Sequence, residues 1–492
     1  MLTALLLVPV IAAALGLLLA ADGPRRTVLV TAALVHAGLV AATFAHHPAP
    51  AFGGLLELDA PGQLFLALAS LLFVAVAIYA TGYLRAEGQT ATKRDFQDGA
   101  AFANAPERIF TACLCLFLAS MTLVTTTRNL SVLWVGVEAT TLSSAPLIYF
   151  HRHRRSLEAT WKYLVICSVG IALALLGNIL FSVAFYDPAN PIASMDLTSM
   201  LPRAAAAGKP WLKAAFIFVL VGYGTKMGLA PMHNWLPDAH SQSPSLVSAL
   251  LSGALLNCAF LGILRAYQVL GAAGLGDFGG ELLVLFGLIS MGLAAVFIVG
   301  QGDYKRLLAY SSVEHMGLLA LGVGAGGLAV YGAMLHAVAH SLTKGALFLV
   351  SGNILALYHT RSCHDARGLS RALPVTAALW MAGFLAIAGS PPFGVFVSEL
   401  TILQSLFATG HGLAGGLALA CLAVIFVGMS VPVTRMVQGP LPPATRAPGR
   451  ESALSLAPPL VLLGGALLLG LYLPAPLVHF LDQAARAVSL GG

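Results

Sequence analysis

Glu138, Lys226, Lys344 and Glu399 stand inside long apolar runs, where charge is out of place. An ionised side chain at mid-bilayer costs roughly 2.5–3.5 kcal/mol on insertion scales, so such residues read first as functional. The chemistry they offer is proton transfer. A lysine held near a glutamate in low dielectric keeps or gives up its proton according to whether the partner is in place. The bland reading is a structural salt bridge, Glu138 with Lys226, tying two helices together, and the two readings are compatible. Histidines extend the set. His336, His340 and Lys344 recur at i, i+4 and i+8, so they drift only slowly around one helix face. His315 follows Ser311-Ser-Val-Glu in a second run, and His233, Asp238 and His240 follow a stretch rich in Gly and Pro. Histidine titrates near neutrality and passes protons either way. Singly, each ring is as readily a satisfied buried histidine as a relay station. Aligned with two buried lysines, conduction is the better account. His46, His47, His151 and His153 fall in loops and read as interfacial. A zinc site at His336 and His340 fits poorly, because no third ligand of the HExxH type is present. The six cysteines lie scattered without CxxC spacing, so they read as small buried hydrophobes. No dinucleotide fingerprint, phosphate-binding loop or nucleophile elbow occurs, and the expectation is a chain that itself binds no cofactor and no metal.

These groups must be positioned by a body built for lipid. The chain has 492 residues, 58% hydrophobic and 9% charged, with a mean hydropathy of +0.86. A soluble domain carries about a quarter charged residues, and a disordered chain lacks this apolar content. An all-α polytopic membrane protein remains. The net charge of +6 offers no basic face for nucleic acid. Apolar runs predict fourteen spans near 2–21, 27–45, 62–84, 108–126, 129–150, 160–185, 211–231, 245–270, 280–300, 304–324, 328–357, 374–408, 411–434 and 454–480. The first is read as a retained span: Met1-Leu-Thr-Ala is not basic, and Arg25-Arg26 come after the run. With the N-terminus outside, seventeen of the 26 Lys and Arg fall on the inner side, among them Lys93, Arg94, Arg367, Arg371, Arg435, Arg446 and Arg450. Six fall outside (Arg128, Arg203, Lys209, Lys213, Arg265, Arg486) and three within spans (Lys162, Lys226, Lys344). That bias predicts both termini outside.

Two spans are interrupted in the same way, at Val221-Gly-Tyr-Gly-Thr-Lys-Met-Gly-Leu-Ala-Pro231 and at Ala386-Ile-Ala-Gly-Ser-Pro-Pro-Phe-Gly394. Irregular backbone at membrane depth is tolerated only inside protein or along a water-filled cavity. The interruptions lie five spans apart. Five is odd, so two successive five-helix units (helices 4–8 and 9–13) face opposite ways, the mark of inverted repeats with a site at each broken helix. The plainer alternative is that Gly and Pro merely allow close packing. The expected divisions are 1–107 for the first three helices, 108–270 and 280–434 for the two units, and 435–492 for the last helix.

The stretch Gly222-Tyr-Gly-Thr-Lys-Met-Gly-Leu-Ala-Pro-Met-His-Asn-Trp-Leu-Pro-Asp-Ala-His-Ser-Gln-Ser-Pro-Ser245 resembles the signature of the proton-pumping antiporter-like family. That family comprises membrane-arm subunits of complex I, Mrp-type antiporters and membrane-bound nickel–iron hydrogenases. Trp134-Val-Gly-Val-Glu-Ala-Thr-Thr-Leu142, Leu157-Glu-Ala-Thr-Trp-Lys-Tyr163 and Arg306-Leu-Leu-Ala-Tyr-Ser-Ser-Val-Glu-His-Met-Gly317 resemble its other motifs, and the wording is most similar to hydrogenase-4 component F. The resemblance implies that Glu138 and Lys226 belong to a first half-channel, and that His315, His336, His340 and Lys344 belong to the second or to the axis between. Glu399 would sit where members carry lysine or glutamate. Asn257 departs from the lysine common in complex I members, which leaves the link between half-channels to histidines or water. The chain is expected to be the proton-translocating subunit of a redox-driven complex in a bacterial cytoplasmic membrane. Its implied partners are other membrane and peripheral subunits, which would hold any nickel–iron and iron–sulfur centres. The alternatives are a cation/proton antiporter subunit, moving Na⁺ or H⁺, an energising subunit for inorganic carbon uptake, and a scaffold.

Overall fold

The computed structural model describes residues 1–88, 93–94, 99, 101–187, 194–442 and 451–489, with the backbone alone at 93–94. The charges assigned to Arg446 and Arg450, and the side chains of Lys93 and Arg94, lie outside the described residues. A chain in lipid must bond its backbone internally, and the helix is the local way to do so. The longer helices are α1 (Leu2–Leu18), α2 (Asp22–Ala45), α3 (Ala60–Glu87), α4 (Glu107–Thr125), α5 (Leu130–Ile148), α6 (Arg154–Ala184), α7 (Lys209–Met227) and α8 (Trp235–Gln242). They continue as α9 (Ser245–Ala272), α10 (Gly276–Ile298), α11 (Tyr304–Ala325), α12 (Leu328–Tyr358), α13 (Pro374–Ile387), α14 (Gly394–Ala408), α15 (Gly412–Gln438), α16 (Ala453–Leu471) and α17 (Ala475–Ser489). Among the described residues the only strands are Lys93–Arg94 and Ala101–Phe102, paired antiparallel.

Among the described residues, twelve helical segments are long and apolar enough to cross a membrane. The fourteen expected runs exceed that number for two reasons. The first run forms a helix of only 17 residues, and the run 374–408 is two helices of 14 and 15 residues, α13 and α14. The last expected run is also divided: α16 stops at Leu471, and α17 is a separate helix with polar residues on one side.

Both interruptions are real breaks. After α7 the chain turns at Gly228, whose φ of +84° suits glycine, and a Cβ there would press on Leu236. The Ala230 N–H donates to Ser290 Oγ at 2.9 Å before α8 begins. After α13 the turn is at Gly389, φ +63°. Each break carries a cis X-Pro bond, Ala230–Pro231 and Pro391–Pro392. A third irregularity is the π-helical turn Leu251–Leu255 inside α9, one residue before Leu256-Asn257.

Helices close on one another through glycine. Gly170 and Gly222 bring α6 against α7, while Gly287 and Gly317 bring α10 against α11. The apolar segments of α9 and α12 are wholly buried, and α11 nearly so, whereas α2, α15 and α16 expose most of theirs. Three central helices therefore lie farthest from lipid. Glu314, His315, His336, His340 and Lys344 lie on two of them, α11 and α12.

Candidate ion-translocation site

The first group forms where α5, α6 and α7 meet. Asn129 caps α5, its Oδ1 accepting from the Ser131 and Val132 amides, and Glu138 lies two turns on. Thr141 Oγ1 donates to Glu138 Oε2 at 3.3 Å. Lys226 is fully buried on the last turn of α7, where the helix dipole favours a cation. Its Nζ donates to Tyr163 Oη at 2.6 Å and stands 4.5 Å from that ring's centroid. Tyr163 Oη shares a 2.6 Å hydrogen bond with Ser144 Oγ and also approaches the Thr141 hydroxyl. The Glu138–Lys226 pair is thus within electrostatic reach but makes no direct ion pair. Hydroxyls of Thr141 and Tyr163 stand between carboxylate and ammonium.

The second group forms where α11, α12 and α14 meet. His315 Nδ1 and His336 Nε2 are 3.0 Å apart, and His336 Nδ1 is 2.9 Å from Ser398 Oγ. In the His315–His336 pair one ring nitrogen must donate and the other accept, an arrangement that reverses when both rings switch tautomer. Ligand atoms of His315, His336 and Glu399 lie within 4.8 Å of one another. This is the set that has the donors to hold a cation, whereas the spacing-derived pair His336 and His340 has rings 6.3 Å apart. The His340 ring centroid is 5.2 Å from that of His315. Lys344 Nζ donates to the Leu308 carbonyl at 2.6 Å, with the buried Glu314 in electrostatic reach.

Between the groups lies Asn257. Its Nδ2 donates to Ser341 Oγ at 2.8 Å and to the Gly253 carbonyl at 3.0 Å. Ser341 adjoins His340 on α12, and Cys258, next to Asn257, lies within electrostatic reach of Lys226. Polar groups therefore face one another from α7 to α9 and from α9 to α12, the second pair joined by the Asn257–Ser341 hydrogen bond. Around these groups, His240 Nδ1 and Nε2, both nitrogens of His340, His315 Nε2, Asn257 Oδ1, Glu314 Oε2 and Glu399 Oε1 have no hydrogen-bond partner among the described residues. Buried polar atoms are rarely left so, and water is the usual partner where side chains and backbone offer none.

His240 stacks on Phe348 at 4.8 Å and lies in electrostatic reach of Lys305 and Lys344. His233 does not join these groups; its ring sits among Phe297 and Tyr310, 6.3 and 6.2 Å away. Asp238 also lies apart, bonding Lys162 at 2.9 Å and Arg306 at 2.5 Å beside a polar cavity of about 430 Å³. Lys162, expected within a span, is half-exposed there.

The comparisons now bear directly on this geometry. Residues 127–429 match the family described as NADH:quinone oxidoreductase/Mrp antiporter, transmembrane. The chain belongs to that family. It is 39% identical over 377 residues to the hydrogenase-4 component F homolog of Methylacidiphilum infernorum (isolate V4), covering 75% of this chain and 77% of that protein. It is 34% identical to hydrogenase-4 component B of Escherichia coli (strain K12), covering 79% of this chain and 57% of that protein. Among solved structures, a chain of the Mrp complex from Dietzia sp. DQ12-45-1b superposes with a TM-score of 0.83 at 22% identity, covering 99% of this chain and 97% of that chain. A chain of the archaeal membrane-bound sulfane sulfur reductase gives a TM-score of 0.86 at 19% identity, again covering 99% of this chain and 97% of that one. The antiporter-family chain is therefore a multi-span integral membrane subunit of the complex I, Mrp and hydrogenase type.

Three members of the site escaped the reading by sequence. Glu314 sits in mid-α11 within the quoted motif, and a charge count of that span reveals it as a second buried acid with Glu399, whereas Glu138 is only partly buried. Lys305, at the start of α11, reads as a loop cation but is fully buried, its Nζ donating to the Ser243 carbonyl at 2.6 Å. Tyr163 carries no charge, and nothing in its spacing announces a link to Lys226.

Proposed function

We propose that this chain conducts protons across the membrane along the line Glu138–Thr141–Tyr163–Lys226, Asn257–Ser341, and the His340, His315, His336, Glu399, Glu314 and Lys344 cluster. The observation that carries the reading is the cluster of buried ionisable groups with unpartnered atoms, Glu314 and His315 on α11, His340 on α12, and His240 and Glu399 on the neighbouring α8 and α14. A scaffold gains nothing from such groups, each of which is costly in low dielectric. His240 and Lys305 extend the line toward the polar cavity at Asp238 and Arg306, and His233 has no part in it. Moving one charge against 100 mV takes about 2.3 kcal/mol, so closely spaced stations suit the work better than a single long hop.

The chain is proposed to have fourteen spans, counting α1 and joining α13 to α14. Two inverted five-helix units, 108–270 and 280–434, are flanked by 1–107 and 435–492. The equivalent placement of the breaks after α7 and α13 supports this. The charge bias supports a bacterial cytoplasmic membrane with both termini outside. The identity to hydrogenase-4 components supports a redox-driven complex whose nickel–iron and iron–sulfur centres reside in partner subunits.

Lys226→Ala, purified with its partner subunits and reconstituted in proteoliposomes, is expected to assemble and to lose proton uptake. Stranding Glu138 costs up to about 3–5 kcal/mol if the carboxylate stays charged. Normal assembly with wild-type pumping sinks the proposed path. Sodium movement coupled to opposite proton movement, without electron transfer in a partner subunit, favours the antiporter alternative.

A further inference from the structure

We infer that a groove on the outer face of α15 is a binding site for an anionic phospholipid, with the phosphate held by Arg367 and Arg435. A cavity of about 750 Å³ lies between α15, the end of α10 and the loop after α12. Its wall is apolar: Val299, Val424, Val427 and Val431 line it and are 57, 46, 61 and 45% exposed. On α15 this wall runs from Val424 to Val431, about 10 Å at 1.5 Å per residue, the length of several acyl methylenes. Gly428 forms the floor, where a Cβ would stand 3.0 Å from Ile298. The absence of a side chain keeps α10 and α15 close enough to shape the groove.

Charge is confined to one end. Arg367 and Arg435 line the cavity with His364, and neither arginine has a carboxylate partner among the described residues. Arg367 Nε is buried without an acceptor. The stem of Arg367 packs on Gly439, and its carbonyl accepts from Tyr358 Oη at 2.7 Å, so the guanidinium is held in place at the mouth. Arg435 lies on the last turn of α15. Two guanidiniums above an apolar wall match a phosphate above acyl chains, because guanidinium donors fit phosphate oxygens bidentately and are weakly hydrated. Arg367 and Arg435 belong to the charge-rich set assigned to the inner side, where basic pockets between helices take anionic headgroups. A free phosphate uses none of the valine wall. A helix of a partner subunit has to bring an acid to the arginines.

The test uses the purified, delipidated complex and follows its thermal midpoint as lipid is added in detergent, with native mass spectrometry of the adducts. Dioleoylphosphatidylglycerol is expected to raise the midpoint and to stay bound, and dioleoylphosphatidylcholine and inorganic phosphate to do neither. Arg367→Gln with Arg435→Gln is expected to weaken the effect about tenfold or more, by loss of charge-assisted hydrogen bonds. Val427→Trp is expected to abolish it with both arginines in place. The proposal is overturned by equal stabilisation from the two lipids or from phosphate. It is also overturned by an undiminished effect in either variant, or by a photo-crosslinker at Val427 that captures a partner subunit in native membranes instead of lipid.

Discussion

The two broken helices share a design and differ in what they hold. The first break, after α7, is buried from Gly228 to Ala230 and reaches the surface only at Pro231, and it leaves Lys226 on the terminal turn with its ammonium on a tyrosine hydroxyl. The second, after α13, is more open, with Pro391 and Pro392 exposed. There the acid Glu399 on α14 lies against the backbone of Gly389, leaving no room for a side chain. In the first half a cation sits on the broken helix and the acid on a continuous one. The second half reverses this: the acid sits on the broken helix, and Lys344 on the continuous α12. Three histidines then fill the space that hydroxyls fill in the first. Equivalent backbone irregularity therefore supports opposite charge arrangements. The break supplies an opening in the hydrogen-bond ladder, and the side chain beside it sets the chemistry.

If the halves are complementary in this way, Lys344 needs its own acid, and Glu314 is the one in reach. Glu314→Gln removes that charge while keeping shape. Transport is expected to fall about 100-fold, corresponding to roughly 3 kcal/mol lost from a buried charge pair, with assembly retained. Pumping at the wild-type rate assigns Glu314 to packing and leaves Lys344 served by Glu399 instead. Proton uptake into proteoliposomes decides between them.

The first half is sharpened by Tyr163→Phe, which removes one hydroxyl from between Thr141 and Lys226. A hydrogen bond to a charged group is worth about 1.5–3 kcal/mol, so transport is expected to slow about tenfold or more. The lysine remains buried beside the ring, so loss of stability is expected to be small. An unchanged rate means that Glu138 and Lys226 exchange protons without the hydroxyl. That restores the direct pair expected from sequence.

How much of this was readable in the residues follows from what each interaction requires. Isolated charges in apolar runs are visible because lipid excludes them, and Glu138, Lys226, Lys344 and Glu399 stood out for that reason. The breaks were visible because Gly and Pro signal the end of a helix locally. The hydroxyl links were not visible, since Tyr163 and Lys226 are 63 residues apart and meet only when α6 closes on α7 at Gly170 and Gly222. Nor does sequence distinguish His233, which lies among aromatic rings, from His240, which faces two lysines. The helix–π junction before Asn257 carries no recognisable motif, because π-turns arise from packing around them. The division of the last run at Tyr472 was masked by continuing apolar composition.

Asn257 is proposed to link the two groups without a charge of its own. An amide cannot titrate, but it donates and accepts, and its Oδ1 has no partner within the protein. Asn257→Leu is expected to slow transport several-fold, about 1 kcal/mol for one lost water anchor, and Asn257→Lys to be tolerated. Full transport by Asn257→Leu in proteoliposomes shows that the halves communicate by another route.

The smallest effect on transport is expected at His36, which sets the limit of the comparison. It is as buried as His340, yet its Nδ1 is 2.9 Å from Ser70 Oγ and its Nε2 is 3.0 Å from Thr122 Oγ1. Both nitrogens are satisfied, and the ring joins α2 to α3 and α4 well away from the polar line. A buried histidine with every bond made is a structural post, whereas one with both nitrogens free needs water or a moving proton. His36→Ala leaves two hydroxyls short of a partner and opens a cavity, at about 1–3 kcal/mol for the polar groups alone. The thermal midpoint is expected to drop while proton uptake per assembled complex stays at the wild-type value. His340→Ala is expected to do the opposite. If His36→Ala impairs uptake as much as His340→Ala, then partner count does not separate structural from conducting histidines in this protein.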